Sequence, residues 1–452
     1  MASTVKTAAV IGGGWAGCSA AVELAKAGYK VTLFEASRTL GGRARAVDTN
    51  GLMLDNGQHI LLGAYTETLR LMRIVDIDPG AALLNLPLQM RYPPGSGMDF
   101  IAPRLPAPLH LAVALLRAKG LAGADKMALA RFSSTARWMG WRLHNDCSVS
   151  ELLDRFDQTE RLTALMWRPL CLAALNTPPE RASAQVFLNV LRDSLGARRS
   201  ASDMLLPRTD LSALFPAAAA AFISARGGVV RTGAKVGTVA QADGLWRVDA
   251  TGNEVDGNWS VYVDAAVIAS GAPSSAVLLG KLGKEEIATE LMAFEYEPIT
   301  TCYLQYDSAT RLALPFYALQ DEQANGHWGQ FVFDRGQLDS AQRGLLAVVI
   351  SASSAAAALD RNALGAAIAA QLAQVLAVPA LAHPVWTQVI TEKRATFACT
   401  PALQRPANDV GLAGLALAGD YTATDDPASN YPATLESAVR SGVAAARLVR
   451  AR

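Results

Sequence analysis

The chain is short of three things that would have settled its class at once. Cysteine is the first. Its 452 residues contain only five, Cys18, Cys147, Cys171, Cys302 and Cys399, odd in number, scattered, and never spaced as CxxC. A disulfide framework and a thiolate metal centre are both excluded by that pattern, which predicts free thiols in a reducing cytoplasm and no metal. Charge of one sign is the second. The 41 basic and 40 acidic residues leave a net charge of +1, without the basic excess of a nucleic-acid binder. Long apolar runs are the third. No stretch reaches the roughly 18 uncharged apolar residues of a membrane span, and the Ala-rich PAAAAAFISA at 216–225 reads as a buried helix. MASTVKTAAVIGGG runs straight into a strand pattern, so no signal peptide is expected.

What is present is apolar residue and glycine. Hydrophobic residues make up 51% of the chain and mean hydropathy is +0.19, which suits a large core, a greasy ligand or a membrane-facing patch. A chain of this length predicts two or more folding units. At the N-terminus TAAVI reads as a buried parallel strand, GGGWAG as a turn, CSAAVELAKAG as a helix ended by Gly28, and KVTLFE as a second strand. Together they form a βαβ unit.

Gly12, Gly14 and Gly17 give G-x-G-x-x-G between that strand and that helix. The first glycine permits a tight turn, the second lets backbone approach a pyrophosphate, and the third lets the helix pack on the strand. The helix N-terminus offers unpaired N–H groups to the phosphates. Glu35, 23 residues beyond Gly12, closes the second strand where a carboxylate can accept from ribose hydroxyls. This predicts a dinucleotide site. The fingerprint alone leaves NAD and FAD open.

The continuation EASRTLGGRAR at 35–45 resembles the FAD-dependent amine oxidase and carotenoid desaturase superfamily. Gly41 and Gly42 allow close backbone approach there, and Arg43 supplies a cation for phosphate oxygens. The resemblance continues through VDTNGLMLDNGQHILLG, a turn that in the superfamily passes beside the flavin ring. It continues in GGVVRTGAKVGTV (227–239), in AGDY (418–421) and in PATLESAVRSG (432–442). It implies FAD as cofactor, with contacts from Gly12, Gly14, Trp15, Ala16 and Gly17, from Glu35, Ala36, Gly42 and Arg43, and from Gly57, Gln58 and His59. Val236 would meet adenine through its backbone, Gly419 and Asp420 would hold the ribityl chain, and Thr434 and Leu435 would face the flavin pyrimidine. The implied fold is α/β: a Rossmann-type, glutathione-reductase-like FAD-binding domain with a discontinuous α+β substrate domain. Residues 1–78, 206–285 and 409–452 would form the first, and 79–205 and 286–408 the second.

The combination of DNGQHILLGAY, EKRATFACTP, GDYTAT and YPATLESAVRSG is similar, over essentially the whole chain, to the squalene-associated FAD-dependent desaturases. The stretch TATDDPASNYPATLE is longer than that pattern, leaving Asp425, Asp426 and Asn430 unplaced. The family's chemistry, as the resemblance implies it, is the reductive dehydroxylation of hydroxysqualene to squalene in hopanoid and triterpenoid synthesis. Water leaves to give an allylic cation, and reduced flavin N5 delivers hydride. A carotenoid-type desaturase or isomerase is the alternative, and a non-catalytic isoprenoid carrier on the same fold a further one. The partners implied are a hydrophobic C30 isoprenoid and an external electron donor that the sequence does not identify.

Three features bear on the substrate. Trp138, Trp141 and Trp167 lie in the 80–200 insertion, as core or as substrate wall. PRLPAPLHLAVALLRAKGLAG (103–123), edged by Arg104, Arg117 and Lys119, suits a helix resting on the inner face of the cell membrane or one packed on the core. His59 is the candidate proton donor, the other readings being a hydrogen bond to the flavin edge and a packed neutral ring. Lys393 and Arg394, read as a strand start, could also reach the cavity.

Overall fold

In the computed structural model, which describes residues 5–49, 51–252, 257–426 and 429–451, strands from the start, middle and end of the chain assemble into one five-stranded parallel sheet. The order across it is Val229–Arg231, Lys30–Phe34, Thr7–Ile11, Ala265–Ile268 and Leu415–Leu417. Ala8 to Ile11 and all of Ala265–Ile268 are buried, which is why these strands are uninterrupted runs of small and β-branched residues. On one face the helix Trp15–Lys26 is wedged between Pro216–Ala225 and Leu435–Arg450. Gly442 makes the last contact possible, because a Cβ there would sit 2.1 Å from the Ala16 carbonyl oxygen. A three-stranded antiparallel sheet, Lys235–Ala242, Leu245–Thr251 and Asn258–Val263, lies against the parallel sheet from the other direction.

A second five-stranded sheet is antiparallel throughout, in the order Phe316–Ala318, Phe331–Asp334, Leu345–Ile350, Tyr296–Gln305 and Trp386–Phe397. Every residue of Leu345–Ile350 is buried. Leu345, Ala347 and Val349 belong to the apolar cluster on one face, and Leu346, Val348 and Ile350 to the cluster under the helix Arg361–Val375. A strand covered on both faces reads as a continuous apolar run, as LLAVVI does.

The stretch 80–200 is helical, as its sequence suggests, but it also holds strands. Leu83–Leu86 pairs with Met204–Pro207, and Gln89–Arg91 forms a hairpin with Asp99–Ile101 across the Pro- and Gly-rich turn. Its helices include Leu109–Arg117, Gly123–Trp138, Val149–Arg155, Arg168–Leu175 and Ala184–Ser194. Ser148 and Glu151 cap the third of these reciprocally. A π-type turn, Thr163–Trp167, runs into the fourth. Lys393 and Arg394 fall near the end of the long strand Trp386–Phe397, not at a strand start. Polar residues alternate along that sheet edge and hide it from an apolar pattern. Of TATDDPASNYPATLE, positions 427 and 428 lie outside the described residues, as do the first four residues of the N-terminal segment. Among the described residues no helix is long and apolar enough to cross a membrane. All five cysteines are buried free thiols.

Candidate active site

Two glycine turns nest against each other at the carboxyl end of the parallel sheet. Gly12 has φ +108°, and a Cβ on it would lie 2.6 Å from the Ala269 carbonyl oxygen, so only glycine fits this crossing. Its N–H donates to the Phe34 carbonyl at 2.7 Å. Gly41 N–H donates to the Gly13 carbonyl at 2.9 Å, and Gly42, at φ +62°, brings its backbone against Gly14. A Cβ on Gly14 would meet nothing closer than 3.9 Å, leaving open room where the helix Trp15–Lys26 begins. Glu35 already accepts from the Gly13 N–H at 2.6 Å and from the Ser37 N–H and hydroxyl at 2.8 Å each. A carboxylate has about four acceptor sites, so a ribose would share one that also holds the turn.

Charge is paired beside this turn. Arg43 Nη2 donates to Asp420 Oδ1 at 2.6 Å, and its Nη1 donates to the Ala395 carbonyl at 3.0 Å. The Asp420 carboxylate holds the guanidinium protonated against the cost of its burial, pushing the Arg43 pKa up. Asn56 ties the next turn to this one: its amide donates to the Arg43 carbonyl and accepts from the Arg45 N–H. Thr434 caps the last helix, accepting from the Ser437 N–H at 3.2 Å. Glu436 in its first turn accepts from the Glu67 and Thr68 N–H groups and from the Thr68 hydroxyl. The loop before that helix is gripped by Arg405, which donates to the carbonyls of Asp420, Tyr421, Thr422 and Tyr431 and lies over the Phe397 ring. Burial lowers its pKa.

His59 Nδ1 lies 2.7 Å from the Gly57 carbonyl. A carbonyl only accepts, so Nδ1 carries the proton and Nε2 is left as a lone pair. Burial lowers the His59 pKa, more than the Gly57 bond raises it. The ring is therefore neutral, an acceptor at Nε2 and not an acid in its resting state. Gln58 is fixed by Arg335, whose Nη1 donates to Gln58 Oε1 at 2.7 Å and whose Nε donates to Gln342 at 2.8 Å. Arg335 is 2% exposed. Asp55, next to this turn, accepts from the Leu211 N–H, and burial pushes its carboxyl up to about 7.

The glycine turns, Glu35, Arg43, Asn56, Gln58, His59, Asp420 and Thr434 border one cavity of ≈1230 Å³, with Arg335, Arg405 and Asp55 behind them. Ordinary ligand sites span roughly 300–1,000 Å³, so there is room for a dinucleotide and a second molecule. The lining supplied by 80–200 and the antiparallel sheet is largely apolar, with Met90, Phe100, Met166, Leu170, Phe331 and Phe333 in the wall. The π-type turn and the helix after it supply Met166 and Leu170.

Of the residues expected to touch the cofactor, the structure brings Gly12, Gly14, Trp15, Ala16, Glu35, Ala36, Gly42 and Arg43 to the cavity wall. It brings Gly57, Gln58, His59, Val236, Gly419, Asp420, Thr434 and Leu435 there too. Gly17 stands behind the wall. A Cβ on it would sit 1.8 Å from the Gly12 carbonyl oxygen, so it serves the contact of helix with strand. Arg394 reaches the cavity and Lys393 does not. Of the two readings of the tryptophans, the substrate wall fails: none of Trp138, Trp141 and Trp167 lines the cavity. Trp167 is 1% exposed and donates its Nε1–H to Gln158, Trp141 packs against the core edge, and Trp138 is 87% exposed. The 80–200 insertion does reach the cavity, through Met90, Phe100, Met166 and Leu170 rather than through its tryptophans. Arg335, Arg405 and Asn56 were passed over, since nothing local distinguishes a buried arginine or amide from an exposed one.

Comparison with known proteins agrees with this geometry. A family model described as flavin containing amine oxidoreductase matches residues 15–450. The chain is 30% identical over 463 aligned residues to a hydroxysqualene dehydroxylase from Rhodopseudomonas palustris, covering 99% of each chain. It is 28% identical over 457 residues to a protein of the same name from Sinorhizobium fredii, covering 98% of each. Among solved structures, an oxidoreductase from Methanosarcina mazei superposes with a TM-score of 0.70 at 15% identity, over 98% of this chain and 99% of that one, a likeness of fold. The cofactor is FAD. The open cradle at Gly14, the free helix N-terminus beside it and the cavity's size fit that group.

Proposed function

We propose a reaction from one premise: the chain belongs to the flavin containing amine oxidoreductase family, as an FAD-dependent oxidoreductase that groups with the hydroxysqualene dehydroxylases. The reaction is the removal of an allylic hydroxyl from a C30 isoprenoid, hydroxysqualene, to give squalene. The observation that carries this reading is the cavity itself, whose glycine-lined polar end opens into an apolar end walled by Met166, Leu170, Phe331 and Phe333.

Bound and reduced, FAD supplies hydride. The chain's own residues do the rest. The turn at Gly12 to Gly14 and the helix it starts receive the pyrophosphate. Asp420 keeps Arg43 charged and aimed, and the N-terminus of Leu435–Arg450 presents N–H groups to the flavin end. Residues 1–78, 206–285 and 409–452 form the cofactor unit in this reading, and 79–205 and 286–408 the substrate unit. The apolar wall admits a long hydrocarbon and excludes water, which protects a cationic centre from capture. Phe331 and Phe333 in that wall supply the aromatic rings that can stabilise such a centre. His59 accepts the substrate hydroxyl hydrogen at Nε2 and positions the alcohol. Because the oxygen leaves as water, the reduction consumes one proton along with the hydride, a proton that the neutral ring does not itself supply. It becomes a proton donor only after Nε2 is itself protonated, a state that burial opposes.

The test is anaerobic incubation of reduced holoenzyme with hydroxysqualene, following flavin reoxidation by absorbance and squalene by mass spectrometry. Reoxidation with stoichiometric squalene is expected. No reoxidation and no squalene sinks the reading. Reduction of the oxidised enzyme by a polyene precursor such as phytoene would move the assignment to desaturation.

A further inference from the structure

A surface remote from the glycine turns carries a pattern that the reaction does not explain. Between residues 100 and 142 the exposed charge is almost entirely of one sign. Arg104, Arg117, Lys119, Lys126, Arg131 and Arg137 face a single acid, Asp125, while Arg142 is held by Asp426. Asp125 is buried and accepts from the Ala122 N–H and the Thr159 hydroxyl, so it offsets none of this at the surface. The chain as a whole carries only +1.

The same stretch exposes large apolar side chains. In the helix Leu109–Arg117, Leu109, Ala112 and Leu116 recur at i, i+3 and i+7 and form one exposed stripe, with Leu116 75% exposed. In Gly123–Trp138, Met127, Arg131, Ser134 and Trp138 form a second stripe, at i, i+4, i+7 and i+11. The opposite sides of the two helices, Ala114 on one and Leu129, Phe132 and Ala136 on the other, enter the same apolar cluster. The two stripes therefore look outward from a shared core. Lys126 Nζ donates to the Leu116 carbonyl at 2.9 Å and ties the end of the first helix to the start of the second.

We infer that this face docks on the surface of an anionic lipid bilayer. A second protein surface would have to be both acidic and greasy. A bilayer with anionic headgroups meets both demands at once, with phosphates for the basic rim and acyl chains beneath for the leucines. A tryptophan 87% exposed at the end of the second stripe is placed where indoles partition best, at the boundary of headgroup and acyl chain. Of the stretch 103–123 expected to rest on a membrane, the helix Leu109–Arg117 forms one half of this two-helix face. This inference is independent of the reaction proposed above.

The test is sedimentation of FAD-loaded enzyme with phosphatidylcholine vesicles, with and without phosphatidylglycerol. The anionic vesicles are expected to retain about tenfold more protein. A triple variant, Leu109→Ser with Leu116→Ser and Trp138→Ser, should lose about tenfold on the same vesicles while staying yellow with an unchanged Tm. Arg117→Ala with Arg131→Ala should lose about tenfold on anionic vesicles alone. Equal binding to both vesicles, or a triple variant that pellets like the parent, overturns the inference. So does a concentration-dependent dimer in sedimentation velocity that Leu116→Ser dissociates, which would give this face to a second copy of the chain.

Discussion

The two ends of the cavity are built on different principles. At the glycine end the wall is largely backbone, and each position has one geometric solution: Gly12 with its left-handed φ, Gly17 against a carbonyl, Asp420 against Arg43. At the apolar end the wall is side chains such as Met166, Leu170 and Phe333, any of which could be exchanged for another of similar volume. The first end should fail sharply when touched, and the second should degrade by degrees. A single substitution can therefore report which end it belongs to by whether it costs the flavin or the turnover.

The largest effect is expected from Gly17→Val. Its side chain would occupy the space of the Gly12 carbonyl, at a cost beyond about 4 kcal/mol, so no yellow folded protein should be recovered. Asp420→Ala leaves Arg43 without its carboxylate and should weaken FAD retention by about 10- to 100-fold, read by flavin release on dilution. Leu170→Trp fills the apolar end. It should keep full flavin content and lower turnover of a C30 alcohol about tenfold, with a smaller loss for a C15 alcohol; loss of flavin there would erase the distinction between the ends.

His59→Gln decides the role of the imidazole at the junction. Loss of one neutral hydrogen bond predicts a fall in turnover of about fivefold. A fall of about 10²- to 10⁴-fold, with FAD still bound, would mark a general acid and overturn the acceptor role. The effect with no bearing on turnover is at Asp55. Its carboxyl is raised from 3.8 to about 7 in the fold, so the folded state holds the proton more tightly and stability declines as pH rises through that window. Asp55→Asn should remove the decline and gain about 2–3 kcal/mol at pH 8 relative to pH 5, measured by chemical denaturation at both.

The same division explains what could be read beforehand. The glycine end was legible because its requirements are local: a positive φ, a close approach and a helix start are each specified by a few consecutive residues, as in GGGWAG and LGGR. The apolar end was not, because its wall is drawn from a hairpin, a π-type turn and a distant sheet, and burial depends on which way each element faces. The tryptophans, read as core or as substrate wall, divide: Trp167 is core, bonded to Gln158, while Trp138 faces outward and is neither. The strand Trp386–Phe397 was expected to start only at Lys393, because polar residues break the apolar pattern of its first half, though Arg394 was among the residues read as able to reach the cavity. Arg335 and Arg405 carry no local mark at all; their partners are supplied by strands and loops far along the chain.

Arg405 works as a rivet. Opening the loop it grips would empty the carbonyl bonds of a buried guanidinium to residues 420, 421, 422 and 431 at once, so the two ends of that loop are fastened by one side chain and can part from it only together.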